Sequence, residues 1–205
     1  IRFYVSYAHA VGVKVYVALN TLIKDSELED FIAAAKTAYE AGADALIVQD
    51  VFSGKILKGV LPDCELHLST QAGVNNLAGV KIAEEYGFSR VILARETEER
   101  EIKSIAENID TEIFVHGALC SSFSGHCYMS SFIGGNSGNR GLCKQPCRKK
   151  YVIETKTGEG KYSFSLSDLN LADRIGDIIK LGVKSVNLMT NNPAKVEELK
   201  KYHID

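Results

Sequence analysis

Residues 26–48 read Ser-Glu-Leu-Glu-Asp-Phe-Ile-Ala-Ala-Ala-Lys-Thr-Ala-Tyr-Glu-Ala-Gly-Ala-Asp-Ala-Leu-Ile-Val, and this stretch decides the fold class. Ser26, with Glu29 three residues later, has the spacing of a capping box, in which each side chain reaches a backbone N–H that the first helical turn leaves unpaired. Leu28, Phe31, Ile32, Ala35, Ala38 and Tyr39 then recur at helical spacing and give the helix one apolar face. Gly42 stands where helices end in a left-handed residue, a conformation open to glycine without steric cost. Ala45–Val48 follows at once as a short apolar strand. A helix that stops on glycine and feeds a buried strand is the connection of a parallel α/β sheet.

The same grammar recurs outward from this unit. Gly12 precedes Val13–Val17, Gly87 precedes Val91–Leu93, and Gly182 precedes Val186–Leu188. Glu65–Ser69, Glu112–His116 and Tyr162–Leu166 complete the strand candidates. Repeated βα units of about 20–30 residues fit a parallel (β/α) TIM-like barrel better than a doubly wound sheet, because no glycine-rich dinucleotide fingerprint is present. Residues 1–10 read as the helix before the first strand. A closed barrel would therefore need further strands upstream of Ile1, so the chain is read as a fragment; an open, incomplete barrel is the runner-up. The domain expectation is one unit over residues 1–205, with a Cys-rich insertion at about 117–161 and an atypical tail at 183–205. Polar residues gather where strands end, and in a barrel that rim carries the chemistry. Asn20, Gln49, Gln71, Arg95, Glu96 and His116 are accordingly the candidate substrate-contacting residues. The plainer alternative is that they solvate strand ends and cap the next helix.

Of 205 residues, 45% are hydrophobic and 24% charged, the composition of a soluble globular domain. The 24 Lys and Arg against 26 Asp and Glu leave a net charge of −2, so no overall positive field argues for nucleic acid and no DNA partner is expected, although a local basic patch stays open. No apolar run approaches the ~18 residues of a membrane span, and the N-terminus lacks a basic-then-apolar leader. A cytoplasmic protein without a membrane partner is the expectation.

One segment breaks the rhythm. Between Val115 and Tyr162 the strand spacing roughly doubles, and four of the five cysteines fall there: Cys120, Cys127, Cys143 and Cys147, spaced C-x6-C, C-x15-C and C-x3-C. A cytoplasmic chain does not use such thiols as structural disulfides. Four thiolates suit zinc or an iron–sulfur cluster. Zinc sites favour paired C-x2-4-C knuckles and only one such pair is present, so the irregular spacing on a glycine-rich loop favours a cluster, with zinc as the alternative. Four unligated cysteines remain the plain reading. Cys64 lies apart, before a strand, and reads as a small core or loop residue.

The run Glu112–Cys120 (Glu-Ile-Phe-Val-His-Gly-Ala-Leu-Cys), followed by Gly125–Ser130 (Gly-His-Cys-Tyr-Met-Ser), resembles the signature of peptidase family U32, the collagenase-like proteases. Val15–Ile23, Ala45–Asp50, His67–Gly73, Arg90–Glu96, Asn139–Cys143 and Ser165–Leu169 are similar to that family too, so the resemblance covers residues 5–182. It implies two further strands upstream. It also implies a divided activity: a protease by name, but oxygen-independent hydroxylation in better-understood members. Those act on a tRNA uridine, an rRNA cytidine or an aromatic ring in ubiquinone synthesis, the RNA branch with prephenate as oxygen source. Several members carry a 4Fe–4S cluster. Cys120, Cys127 and Cys143 fall on the family's cysteine pattern, and Cys147 is the best fourth candidate here, although some members take the fourth ligand further along the chain.

The residues themselves favour the non-protease side. A serine or cysteine protease needs a nucleophile, a base and an orienting group, and a metalloprotease a histidine pair such as H-E-x-x-H. His9, His67, His116, His126 and His203 show no such spacing. His116 and His126 flank cysteines and read as supporting or loop residues rather than ligands. Arg140, Lys144 and Arg148–Lys150 form a basic stretch that could hold RNA phosphate or an acidic small molecule, or simply be solvated. After Gly182 the family pattern breaks. Thr190-Asn-Asn-Pro193-Ala-Lys195 resembles a segment of GTP cyclohydrolase II, in which Thr190 and Lys195 would contact a nucleotide; the three-cysteine zinc motif of that enzyme is absent, so its activity is not carried over. The plain reading is a helix start, with Asn192 as cap, Pro193 in the first turn, and Val196 and Leu199 packing.

The expectation is thus an iron–sulfur-dependent hydroxylase of an RNA base or small aromatic metabolite. A collagenase-like peptidase and a non-catalytic metal-binding scaffold subunit are the alternatives. A barrel lacking its first strands leaves open sheet edges, which makes a homo- or hetero-oligomer part of the same expectation.

Overall fold

The computed structural model describes residues 1–155, 158–162, 164 and 167–183. α1 (Arg2–Ala10) leads into β1 (Tyr16–Leu19), and α2 (Leu28–Glu40) into β2 (Ala45–Val48). Then follow α3 (Val51–Val60), β3 (Leu66–Leu68), α4 (Leu77–Glu85), β4 (Arg90–Ile92), α5 (Glu99–Ala106) and β5 (Asp110–Glu112). These five strands pair in parallel in the order β1-β2-β3-β4-β5.

The two faces of this sheet differ because side chains alternate along each strand. Leu46, Val48, Leu66, Leu68 and Val91 share one face and pack with Phe31, Ala35 and Ala38 of α2, Leu57 of α3, Val80 and Ala83 of α4, and Ile102 and Ile105 of α5. Each fully buried leucine here contributes about 1.5–3 kcal/mol relative to an exposed one. Helices on one face and strands in sequential order exclude the doubly wound arrangement, which carries helices on both faces. The opposite face is polar. It aligns Ile47, His67, Arg90 and Asp110 in register. Arg90 donates from Nε and Nη2 to Asp110 Oδ2 at 2.8 and 2.7 Å, its guanidinium lies 5.3 Å from the Tyr16 ring, and the fully buried His67 bonds Glu65 at 3.0 Å.

Several boundaries differ from the sequence reading, for identifiable reasons. Ser26 does not cap α2. The chain enters through a 3-10 turn at Asp25–Glu27, where Glu27 reaches back to accept the Lys24 N–H at 2.8 Å. β1 starts after Val13–Val15, because Val13 N–H closes the end of α1 on Ala8 O and Val15 N–H is taken by Asp44 Oδ2 at 2.6 Å. β5 is Asp110–Glu112 rather than Glu112–His116, since pairing with Arg90–Ile92 sets the register. Ile113–Val115 lie beyond the ladder.

Beyond β5 the winding changes. β6 (His116–Gly117) pairs antiparallel with β9 (Leu169–Asn170), and β7 (Tyr151–Thr155) forms an antiparallel hairpin with β8 (Gly158–Tyr162). Tyr162 ends the second hairpin strand, and residues 163, 165 and 166 of the expected strand Tyr162–Leu166 lie outside the described residues. α6 (Met129–Gly134) sits in the cysteine segment, and α7 (Ile175–Lys180) follows β9. Among the described residues the parallel sheet has five strands and does not close into a barrel. The expectations for Val186–Leu188, Thr190, Asn192, Pro193, Lys195, Val196, Leu199 and His203 lie outside the described residues. Among those described, no helix is long and apolar enough to cross a membrane.

Candidate functional site

The carboxyl ends of the parallel strands open onto the cysteine segment. Two latches hold that segment in place. In the first, Ser124 is buried and its hydroxyl accepts from Arg95 N–H and Arg95 Nε at 3.3 and 3.4 Å, while its own N–H donates to Glu96 Oε1 at 3.1 Å. Beside it, Gly125 (φ +76°) lies directly against the Gln71 carbonyl, where any Cβ would overlap. In the second latch, Asn139 O accepts the Leu22 N–H at 2.9 Å. The Arg140 fork closes on both Glu27 oxygens at 2.9 and 2.6 Å and also reaches Leu22 O. The hydrogen bonds from Arg140, helped by the Lys24 backbone N–H, pull the Glu27 carboxyl down to about 2.

Between these latches, Cys120, Cys127, Cys143 and Cys147 line one cavity of about 90 Å3, together with Gln71, Arg95, Met129 and Asn139. All five cysteines are thiols rather than disulfides. Cys64 is separate: it is buried in the helix-packed core, and desolvation pushes its thiol pKa up. Around the cavity, Gln145 N–H points at Cys143 Sγ (3.4 Å), and Ser130 Oγ accepts the Lys144 N–H at 3.1 Å. Gln145 itself takes the left-handed conformation (φ +51°), unusual for a side-chain-bearing residue. Gly138 leaves room beside Cys143, since a Cβ there would sit 3.6 Å from the Cys143 Cβ. Arg148 is within electrostatic range of Cys147 and Cys120 and pairs with Asp168 at 2.8 Å.

The rim candidates divide. Gln71 and Arg95 line the cysteine cavity itself. Arg95 and His116 also face a second cavity of about 200 Å3, with Phe114 and Leu119. Arg95 and Glu96 face a third of about 230 Å3, with Cys120 and Phe123. Asn20 and Gln49 instead brace the layer beneath: Asn20 donates to Ser69 Oγ at 3.2 Å, and the buried Gln49 donates to Gln71 O at 3.3 Å. Of the basic stretch, Arg140 and Arg148 are committed to Glu27 and Asp168, which leaves Lys144, Lys149 and Lys150 exposed. Sequence reasoning missed Ser124 and Phe123. The signal for Ser124 was its neighbour Gly125, a glycine between two cysteines that marks close backbone approach.

The site thus sets four cysteines and an arginine around one cavity at the carboxyl ends of a one-sided parallel α/β wall. The chain matches the family model of Peptidase family U32 over residues 1–192, and it belongs to that family. It is 38% identical over 190 residues to the 23S rRNA 5-hydroxycytidine C2501 synthase of Escherichia coli, covering 90% of this chain and 29% of that protein. It is 34% identical over 199 residues to the tRNA hydroxylation protein P1 of Bacillus subtilis, covering 90% of this chain and 46% of the relative. A collagenase of Porphyromonas gingivalis is 31% identical over 192 residues, with 84% and 46% covered. The chain thus spans less than half the length of these relatives.

Proposed function

We propose that this chain is the cysteine-bearing part of an enzyme that hydroxylates a base in RNA. The observation that carries the proposal is the meeting of Cys120, Cys127, Cys143 and Cys147 on one cavity wall beside Arg95 and Gln71. The names of two relatives, an rRNA cytidine hydroxylase and a tRNA hydroxylation protein, support RNA as the substrate class. In the whole protein the five-stranded wall would belong to a TIM-like barrel.

The donor set fits a 4Fe–4S cluster. Among the described residues no three His, Cys, Asp or Glu side chains converge tightly enough to hold one ion. The four cysteines line one cavity, and four thiolates are the ligand set of such a cluster. Gln145 N–H and the Arg148 charge supply what thiolate-bound clusters need from their surroundings, a hydrogen bond to sulfur and compensation of negative charge. Bound there, the cluster would supply one-electron transfer. Replacing C–H by C–OH on a base adds one oxygen atom and removes two electrons and a proton, so it needs a two-electron acceptor as well as an oxygen source; prephenate is the oxygen source that the family resemblance implies. The chain's own part is to hold the thiols through the two latches and to present Arg95 to the substrate.

The peptidase reading finds less support. His9 is engaged by Asp44 and His67 by Glu65; among the described residues neither His116 nor His126 bonds a serine hydroxyl through its ring, and Ser122 donates to a backbone carbonyl. Anaerobic purification with iron, sulfide and zinc assays tests the proposal. About four irons per chain and a brown colour are expected, lost in Cys120→Ser, Cys127→Ser, Cys143→Ser and Cys147→Ser but kept in Cys64→Ala. Stoichiometric zinc without iron would favour a scaffold subunit. Gelatin cleavage sustained by the Cys127→Ser protein would overturn the proposal in favour of a peptidase.

A further inference from the structure

We infer that the groove between the β4–α5 loop and the Cys120–Cys127 loop seats one unstacked nucleotide of single-stranded RNA, with Phe123 as stacking platform and Arg95 as phosphate anchor. The inference rests on the RNA reading above and names the side chains that would hold the substrate there.

Arg95 differs from most other arginines of the chain; like Arg2, it pairs with no carboxylate among the described residues. Arg90, Arg140, Arg148 and Arg174 each close on a carboxylate at 2.6–2.8 Å. Arg95 closes on no carboxylate among the described residues; only its Nε is engaged, by the Ser124 hydroxyl. Glu96 next to it, which could neutralise it, accepts the Ser124 N–H instead. The terminal nitrogens are left as a planar fork, the geometry that matches a phosphate. Arg95 lines all three cavities.

Phe123 is 70% exposed and shares two of those cavity walls with Arg95. A flat apolar face next to an uncommitted guanidinium is the pair by which proteins hold splayed-out bases: the ring stacks, the cation takes the backbone. Cys120 and Ser121 line the same two cavities, so a base on Phe123 lies beside the proposed cluster site. The cavity that Arg95 and Phe123 share with Glu96 and Ser122 measures about 230 Å3. A peptide fits less well. Strand addition needs free backbone donors, and the N–H groups of Arg95 and Ser124 are already taken.

Fluorescence anisotropy with a labelled ten-nucleotide oligouridine, titrated at several salt concentrations, tests this. Phe123→Ala should weaken binding about 5- to 100-fold at every salt concentration with an unchanged slope, while Phe123→Tyr stays within about threefold. Arg95→Gln should reduce the slope of log affinity against log salt by about 0.7, one phosphate contact on a single strand. Because Arg95 also braces Ser124, Arg95→Lys serves as the second variant: it keeps the slope if the charge matters, and thermal melts report folding for every variant. Wild-type binding that all four substitutions leave unchanged overturns the assignment while the RNA reading stands. A wild-type chain that binds neither single-stranded nor duplex RNA overturns both. Phe123-dependent capture of a gelatin peptide instead of RNA would assign the groove to a peptide and overturn the inference.

Discussion

Replacing Gly125 by alanine drives a methyl group onto the Gln71 carbonyl oxygen and to 2.9 Å from the carbonyl carbon, far inside an ordinary contact. Two other glycines make the cost measurable. Gly135 has nearly the same backbone conformation (φ +67°) but open space where a Cβ would go. Gly73 (φ +72°) is intermediate, with its Cβ position 3.3 Å from Ser124 O. All three substitutions carry the same left-handed penalty of about 1–2 kcal/mol, so differences among them report the clash alone. For Gly125 the neighbour is backbone on both sides, and forcing the loop apart adds about 1–3 kcal/mol. At roughly 2–4 °C per kcal/mol for a chain of this size, Gly135→Ala should lower the melting temperature by about 2–8 °C. Gly125→Ala should take it down a further ~2–12 °C, with Gly73→Ala between them. Calorimetry of the three reduced proteins in one buffer gives the series. Equal melting temperatures for the Gly125 and Gly135 variants would show that the cysteine segment does not press on Gln71 as described.

Two pH dependences follow from different regions and fall in separate windows. Burial pushes the His67 imidazole below its ordinary value of 6.5, only partly opposed by the hydrogen bond to Glu65. The unfolded chain then binds that proton first, so stability is complete above pH 6.5 and declines as pH falls below it; urea midpoints at pH 7.5, 6.5 and 5.5 should decline in the wild type and stay level in His67→Gln, and parallel curves would contradict this. Glu27, held near 2 by Arg140 and the Lys24 N–H, contributes stability that is complete above its ordinary 4.5 and is lost as pH falls from 4.5 towards 2. Hydrogen exchange at the Leu22 amide should accelerate in that window and already be fast at neutral pH in Glu27→Gln; a protected amide in that variant would mean Arg140 is not the tether.

The legible parts of the sequence were those where one physical demand acts alone. Ala45–Val48 faces helices on one side and neighbouring strands on both edges, and its apolar run coincides with β2. Where a second demand competes, the reading slipped. Asp110-Thr111-Glu112 is too polar to read as a strand, yet it pairs with β4, where Arg90 meets Asp110 across the ladder. The apolar Ile113–Val115 nearby drew the assignment away. The ladder joining His116 to Asn170 is two residues long and too brief to leave a period. At the site, cysteine spacing alone pointed to a shared location, but nothing in the spacing announces that Ser124 would clasp Arg95, since that contact joins residues 29 apart.

The second latch has a consequence for the order in which the protein is made. Arg140 bonds Leu22 and Glu27, partners 118 and 113 positions earlier in the chain. In chain order, β1 to β5 and their helices all precede Arg140, so the strands the latch grips are made before the residue that grips them. Closing so long a loop costs more entropy than the local βα units, though the cost grows only with the logarithm of length. The thiols are therefore brought together on a wall that is already standing. Zinc fingers work the other way round, their metal being what makes the chain fold. If the four sulfurs hold a cluster as proposed, it would be delivered to a wall whose βα units fold locally, and a chain left unfilled would keep that wall.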